Sequence, residues 1–331
     1  MNTKKVSMKD IAQKLNISVV SVSKAINNQD GVSDELRERV LDEAYRLGYI
    51  SQRREPAERI QKFAYITSKR FMTEGELFFT QIFYYLSELC NEGGYTLSLF
   101  AVGKEEEGKL MISPSINSAN VDGVFLGGEL SEQYVHSLRN LDLPMVCIDF
   151  YKSEIESDCI IVDNFYAGYR TTTYLLNNGH TRVGYVGHPI VDASLLDRFF
   201  GYRKALFQRG CEYREDWHLT FSEDTVLPSE LPTAFVCDND ATAIPFMKLL
   251  IEKGYGVPQD VSIVSFDNLE TSKNQRPSLT TVDINRALFA EKALERMLER
   301  MANRKAPYQR VLLDARLVVR ESVRDLTRNE G

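Results

Sequence analysis

From Phe63 onward the chain alternates short apolar, β-favouring runs with helical stretches, and it does so over roughly 270 residues. "FAYIT", "YTLSLFA", "VDGVFLGG" and "PMVCID" form one series, separated by helical stretches such as "FFTQIFYYLSELCNEGG". "CIIVD", "RVGYVG", "TAFVC" and "VSIVSF" form a second series. Alternation of this kind predicts an α/β body of parallel sheets flanked by helices, divided into two lobes. Ligands of such sheets bind where strand ends meet, so the cleft between the lobes is the expected binding place.

The first fifty residues follow a different rhythm. Ser7 with Asp10 has the form of a capping box, and Met8, Ile11, Ala12 and Leu15 then recur at helical spacing. "NIS" interrupts the chain, and Ser18 can cap the next helix, "VVSVSKAIN". Ser33 is the expected cap of a third, in which Leu36, Val40, Leu41, Ala44 and Leu47 repeat and Gly48 supplies the stop. Two helices joined by a three-residue turn and braced by a third make a helix-turn-helix. On the second helix Val22, Ala25 and Ile26 form an inward stripe, whereas Val20 points the opposite way beside Lys24 and Asn27, with Val19 on the border.

Residues 51–62, "SQRREPAERIQK", offer little to a core and read as a linker, with Pro56 suited to the first position of a short helix ending near Ile60. The chain thus divides into a helix-turn-helix head over 1–50, a hinge over 51–62 and a two-lobed domain over 63–331. The first lobe is expected to hold about 63–160 and 284–308, the second about 161–283 and 309–323.

Charge is unevenly spread. Residues 1–62 hold six lysines and six arginines against nine acidic residues, a net +3, so the other 269 residues sum to −10 within the total of −7. A cationic segment on an acidic body suits a head that meets a polyanion. The five cysteines have no C-x-x-C spacing and the four histidines no metal-ligand pattern, so neither a disulfide framework nor a metal site is expected. No apolar run approaches the ~18 residues of a membrane span. The opening "MNTKKVSMKD" lacks the apolar stretch of a signal peptide, and a cytoplasmic location is expected.

Taken together, "MKDIAQKLNISVVSVSKAINNQDGVSDELRERVLDEAYRLGY" in the head and "VDGVFLGG", "VDNFYAGYRTTTYLLNNGHTRVGYVG", "DRFFGYRKAL", "VSIVSFDN", "PSLTTV" and "RLVVRES" downstream resemble the LacI/GalR family of transcriptional regulators over nearly the whole length. The resemblance implies a repressor with a periplasmic-binding-protein-like sensor, whose operator affinity is set by a small effector held between the lobes. The second helix then enters the major groove. Its Val19 and Val20 offer apolar contacts to a thymine methyl, Lys24 donates to guanine, and Ser18, Ser21, Ser23, Asn27 and Asn28 anchor phosphates. The hinge departs from the family's Pro-Asn pattern; a two-residue shift would give Ala57 and Ile60 the helix and minor-groove wedge roles, and an unstructured charged tether is the competing reading.

In the cleft the resemblance implies that Arg198 and Asp267 hold sugar hydroxyls, with Asn239 across from them and Asp149 at a strand end. Vicinal hydroxyls both donate and accept, which suits a guanidinium, carboxylates and an amide converging together. Phe78 or Phe79 on the first lobe and Trp217 or Phe221 on the second are the candidate aromatic walls. Arg286, just past "TTVD", is a further candidate that would favour an anionic sugar. Residues 214–233 are too few for the helix that family members place there. Nine residues follow "RLVVRES", without a leucine heptad, so a homodimer reading a pseudo-palindromic operator is expected. A non-sugar effector or a protein co-regulator is the alternative within the family, and a two-lobed solute-binding protein a remote one. An enzyme is not expected: no G-x-G-x-x-G or G-x-x-x-x-G-K loop is present, no catalytic constellation stands out, and no cofactor is implied.

Overall fold

The computed structural model describes residues 6–27, 29, 31–49, 60–72, 78–152, 156–188 and 193–328. The chain forms two compact units that divide after Ile60. The Pro56 helix and the positions of Asn28 and Ala57 lie outside the described residues.

The first unit contains α1 (Met8–Leu15), α2 (Val19–Ile26) and α3 (Asp34–Arg46). The Asp10 carboxylate accepts from the Ser7 backbone N–H at 2.8 Å and fixes the start of α1. Asn16, left-handed at φ 53°, ends α1 in the turn to α2; asparagine tolerates this conformation better than other side-chain-bearing residues. Ser18 Oγ accepts from Ser21 N–H at 3.0 Å and Ser33 Oγ from Leu36 N–H at 3.3 Å, so both expected caps form. Ile11, Val22, Val40 and Ala44 meet in the centre with no exposed surface, and Ala12 and Ala25 fill in beside them. Six residues make a small core, and full burial of a Val or Ile contributes only about 1.5–3 kcal/mol each.

The second unit holds two six-stranded sheets. The first comprises β1 (Lys62–Ser68), β2 (Thr96–Val102), β3 (Gly123–Gly127), β4 (Met145–Ile148), β5 (Asp158–Val162) and β11 (Arg310–Leu313), in the order β11-β5-β4-β3-β1-β2. The second comprises β6 (Val183–Val186), β7 (His218–Leu219), β8 (Ala234–Cys237), β9 (Ser262–Phe266), β10 (Thr280–Asp283) and β12 (Arg316–Val318), in the order β12-β10-β9-β8-β6-β7. Helices α4 (Phe78–Glu92), α5 (Lys104–Gly108), α6 (Glu132–Arg139) and α11 (Arg286–Ala302) accompany the first sheet in sequence. Helices α7 (Asn164–Asn177), α8 (Ala193–Arg209), α9 (Asp240–Glu252) and α10 (Glu270–Lys273) accompany the second. All strand pairs are parallel except β10 with β12 at one edge, and the two lobes of parallel sheet flanked by helices form as expected. The chain passes between sheets after Val162, after Asp283 and after Leu313. The third passage lies a few residues beyond the expected boundary near 308, because β11 pairs with β5 in the first sheet.

Between β7 and β8 no helix forms. Instead, Glu230 is gripped by Arg182 at 2.7 Å and Arg214 at 2.9 Å, while its carbonyl accepts from Trp217 Nε1 at 2.9 Å. Those contacts fasten a loop where a helix was absent from the sequence. Among the described residues no helix is long and apolar enough to cross a membrane.

Candidate functional site

On α2, Val20 is 64% exposed and Val19 40%, opposite the buried Val22 and Ala25. Both side chains therefore stand outside the small core that Val22 and Ala25 help to form. The hydroxyls of Ser18 and Ser21 pair at 2.8 Å, and Ser23 Oγ accepts from Asn27 Nδ2 at 3.4 Å. Lys24 is half-buried, and Ile60, the first described residue of the hinge, is 56% exposed. Arg37 was not singled out from the sequence. Its guanidinium reaches from α3 to the carbonyls of Lys24 at 3.2 Å, Ala25 at 3.3 Å and Gln29 at 2.8 Å, satisfying the C-terminal carbonyls of α2 and fixing that helix on its brace.

The cleft is a cavity of about 230 Å³ lined by Phe71, Phe78, Phe79, Glu129, Asp149, Arg198, Asn239 and Asp267, with Ala193, Ser194 and Leu195 at the start of α8. Most of its polar groups stand just beyond strand ends: Glu129 after β3, Asp149 after β4, Asn239 after β8 and Asp267 after β9. Asp149 at φ 62° and Asp267 at φ 96° both adopt left-handed backbone. A side-chain-bearing residue held so costs on the order of 1–3 kcal/mol, and such strain gathers at functional sites.

Arg198 is 4% exposed, and three of its nitrogens are engaged. Nε donates to Asn164 Oδ1 at 2.8 Å, Nη1 to the Asp238 carbonyl at 2.7 Å and Nη2 to Asp267 Oδ1 at 3.4 Å, while the guanidinium lies 4.7 Å from the Phe266 ring centre. Two glycines allow this placement. A Cβ on Gly168 would strike the Arg198 carbonyl and one on Gly201 the Phe165 carbonyl, so α7 and α8 cross as closely as backbones permit. Asn239 Oδ1 caps α9 by accepting from Thr242 N–H at 2.8 Å.

Behind the cleft two carboxyls are almost wholly buried. Burial pushes Asp238 up to about 6, and burial together with the charge of Asp267 pushes Asp240 up to about 6. Asp240 accepts from Ser265 Oγ, from Thr281 Oγ1 at 2.7 Å and from Leu269 N–H at 2.8 Å. It therefore rivets β9 and β10 to the turn that carries Asp267.

The structure brings together Arg198, Asp267, Asn239, Asp149, Phe78 and Phe79 from the sequence reading. It does not bring Trp217 or Phe221 to the cavity, and the expected second-lobe aromatic wall is corrected. Trp217 is 3% exposed at the sheet edge, bonded to Glu230 and overlaid by Arg214 at 4.4 Å. Phe221 packs edge-on against Phe246 in the core of the second lobe. Arg286 also has a different place: it donates to the Asp267 carbonyl and lies 5.3 Å from the Phe78 ring, joining the lobes rather than lining the cavity. Asn164, Glu129 and Phe71 belong to the site or its support and were missed. Asn164 lies inside "VDNFYAGYR" at a strand-to-helix step, a place where a polar side chain could have been suspected. Nothing local marks the other two.

Residues 7–52 match the family described as bacterial regulatory proteins, lacI family, and residues 172–323 match the periplasmic binding protein-like domain. The chain thus pairs a lacI-family head with a periplasmic-binding-protein-like domain. It is 28% identical over 339 residues to the HTH-type transcriptional repressor PurR of Mannheimia succiniciproducens, covering 97% of this chain and 99% of that protein. In fold it is similar to a transcriptional regulator CelR–cellobiose complex, at TM-score 0.69 and 23% identity over 96% of this chain and 99% of that one. The lac repressor dimer bound to operator and the anti-inducer ONPF gives 0.67 and 20% over 97% and 100%. With that head and that domain, the chain is a DNA-binding transcriptional repressor and not an enzyme.

Proposed function

We propose that this repressor binds a pseudo-palindromic operator as a homodimer and that a small sugar or sugar derivative in the cleft sets its operator affinity. The observation that carries the effector reading is the convergence of Arg198, Asp267 and Asn239 on one cavity walled by Phe78 and Phe79. Hydroxyls that both donate and accept suit such a set. Sugar faces carry C–H groups that pack on phenylalanine. Asn239 Oδ1 is spent on its cap, so its amide nitrogen is the group offered to a ligand oxygen.

In the head, Val20 and Val19 meet thymine methyl groups and Lys24 a guanine edge. Ser18, Ser21, Ser23, Asn27 and Asn28 contact phosphates, and the N-terminus of α2 adds its own affinity for them. Ala57 and Ile60 act at the operator centre. The three phenylalanines on one side of the cavity favour a second reading, a flat heteroaromatic effector stacked on Phe71, Phe78 or Phe79.

Selection of random double-stranded DNA on the full-length protein at physiological salt tests the operator reading. Recovery of a pseudo-palindrome bound at about 10⁻⁸ M or tighter, with thymines at the positions that Val20→Ala relaxes, is expected. Sequence-blind binding that falls steeply with salt would overturn it.

A further inference from the structure

The outer faces of α7 and α8 carry large apolar side chains that the fold leaves in solvent. On α8, Leu196, Phe200 and Phe207 follow at spacings of four and seven and are 37%, 51% and 85% exposed. On α7, Phe165 and Tyr166 are also exposed. The glycine crossing merges these faces: Lys204 Nζ of α8 lies 5.1 Å from the Phe165 ring centre and 5.2 Å from that of Tyr169. Single exposed hydrophobes are ordinary, but a contiguous aromatic surface marks an interaction site.

The charges in and beside this surface specify its partner. Lys204 lies within it, with Arg203 and Arg209 on the same helix. Among the described residues none of the three forms an ion pair with a carboxylate. Arg203 instead stacks on Tyr213 at 3.6 Å, and Arg209 donates to Asn177. These cations stand on a body whose net charge is −10. Two copies meeting face to face here would oppose cation to cation, which argues against a second copy as the occupant.

We propose that the α7–α8 face docks an acidic amphipathic helix of a different protein. Apolar side chains at i, i+3 or i+4, and i+7 of that helix pack on Phe165, Phe200 and Phe207, and its carboxylates meet Lys204 and Arg203. This inference is independent of the effector's identity, although the inner sides of the same two helices supply Asn164 and Arg198 to the cleft.

The test is selection of random 18-residue peptides displayed on phage against the full-length protein. Affinity of a synthesised winner is then measured by anisotropy on wild type, the double variant Phe200→Ser/Phe207→Ser, and Lys204→Glu. Winners with helically spaced apolar residues and a net negative charge are expected. Their affinity falls at least tenfold on each variant, while unfolding temperature and operator binding stay as in wild type. The proposal is overturned by an absence of enriched peptides, by winners without acidic residues, or by winners that bind both variants as tightly as wild type. It is also overturned if sedimentation shows that the double variant loses a higher-order assembly that wild type forms through this face.

Discussion

In α2 the side chains proposed to meet DNA come from one short helix and its ends, with Val19 and Val20 in solvent; in the cleft those proposed to meet an effector come from positions as far apart as Phe71 and Asp267 and are largely buried. The helix needs only a serine cap, an inward stripe and Arg37 behind it to hold Val20 in place. The cleft needs buried polar bonds from α7, α8, β8 and β9 to hold one guanidinium. Function on an exposed helix can therefore be altered without touching stability, whereas function in the cleft is bound up with it.

Arg198→Ala tests the second half of that comparison and should have the largest effect. Removing one partner of a buried charged network leaves Asp267 and Asn164 unsatisfied, a loss of about 3–5 kcal/mol. Urea unfolding of the body should show this together with loss of effector response; an unchanged midpoint would break the contrast. Arg37→Ala comes next. It strips two carbonyl bonds from the end of α2 and one from Gln29 just beyond, and should cost the head about 1–3 kcal/mol, read as earlier loss of amide-exchange protection in α1–α3 with the body's protection unchanged. Val20→Ala should weaken operator binding by roughly 1–3 kcal/mol per half-site without moving the unfolding temperature. A lowered unfolding temperature would mean that Val20 supports the fold.

A smaller effect, in pH, sharpens the account of the buried carboxyls. Asp240 sits at about 6 in the folded protein, above the ordinary carboxyl range, so the folded state takes up its proton first as pH falls. Its contribution therefore favours folding as pH drops from 7 through 6 and is lost as pH rises. His180 and His218, both held below the ordinary histidine value chiefly by burial, act in the opposite direction. The stability difference between wild type and Asp240→Asn isolates the carboxyl. It should shift in favour of wild type on going from pH 7 to pH 5, and a difference that is flat with pH would contradict the assignment.

The same contrast explains how much the sequence disclosed. Caps at Ser7, Ser18 and Ser33, the inward stripe of Val22 and Ala25, and the outward Val20 are local properties, legible at 100° per residue. Strand positions were legible because each is a short apolar run between helices. Arg198, Asp267, Asn239 and Asp149 were found through motif resemblance, not through physics of their neighbourhoods. Trp217 and Phe221 were misplaced because an aromatic side chain reads alike whether it walls a cavity or packs a loop, and only the Glu230 contacts decide which. Asn164 and Asp240 act through bonds spanning tens of residues, which no local pattern encodes. Arg37 was hidden for the same reason on a smaller scale.

If the cleft governs the head, an effector bound there changes operator affinity, and a titration reads that change. Anisotropy of the selected operator on full-length protein should be followed across a panel of monosaccharides, disaccharides, sugar phosphates and nucleobases, for wild type and Arg198→Met. One sugar or sugar derivative should shift operator affinity 5- to 150-fold in wild type, a coupling of about 1–3 kcal/mol, and the shift should vanish in Arg198→Met. A panel in which only a nucleobase acts would replace the sugar by the stacked heterocycle. A shift that survives in Arg198→Met, or no shift from any compound, would contradict control through this cleft.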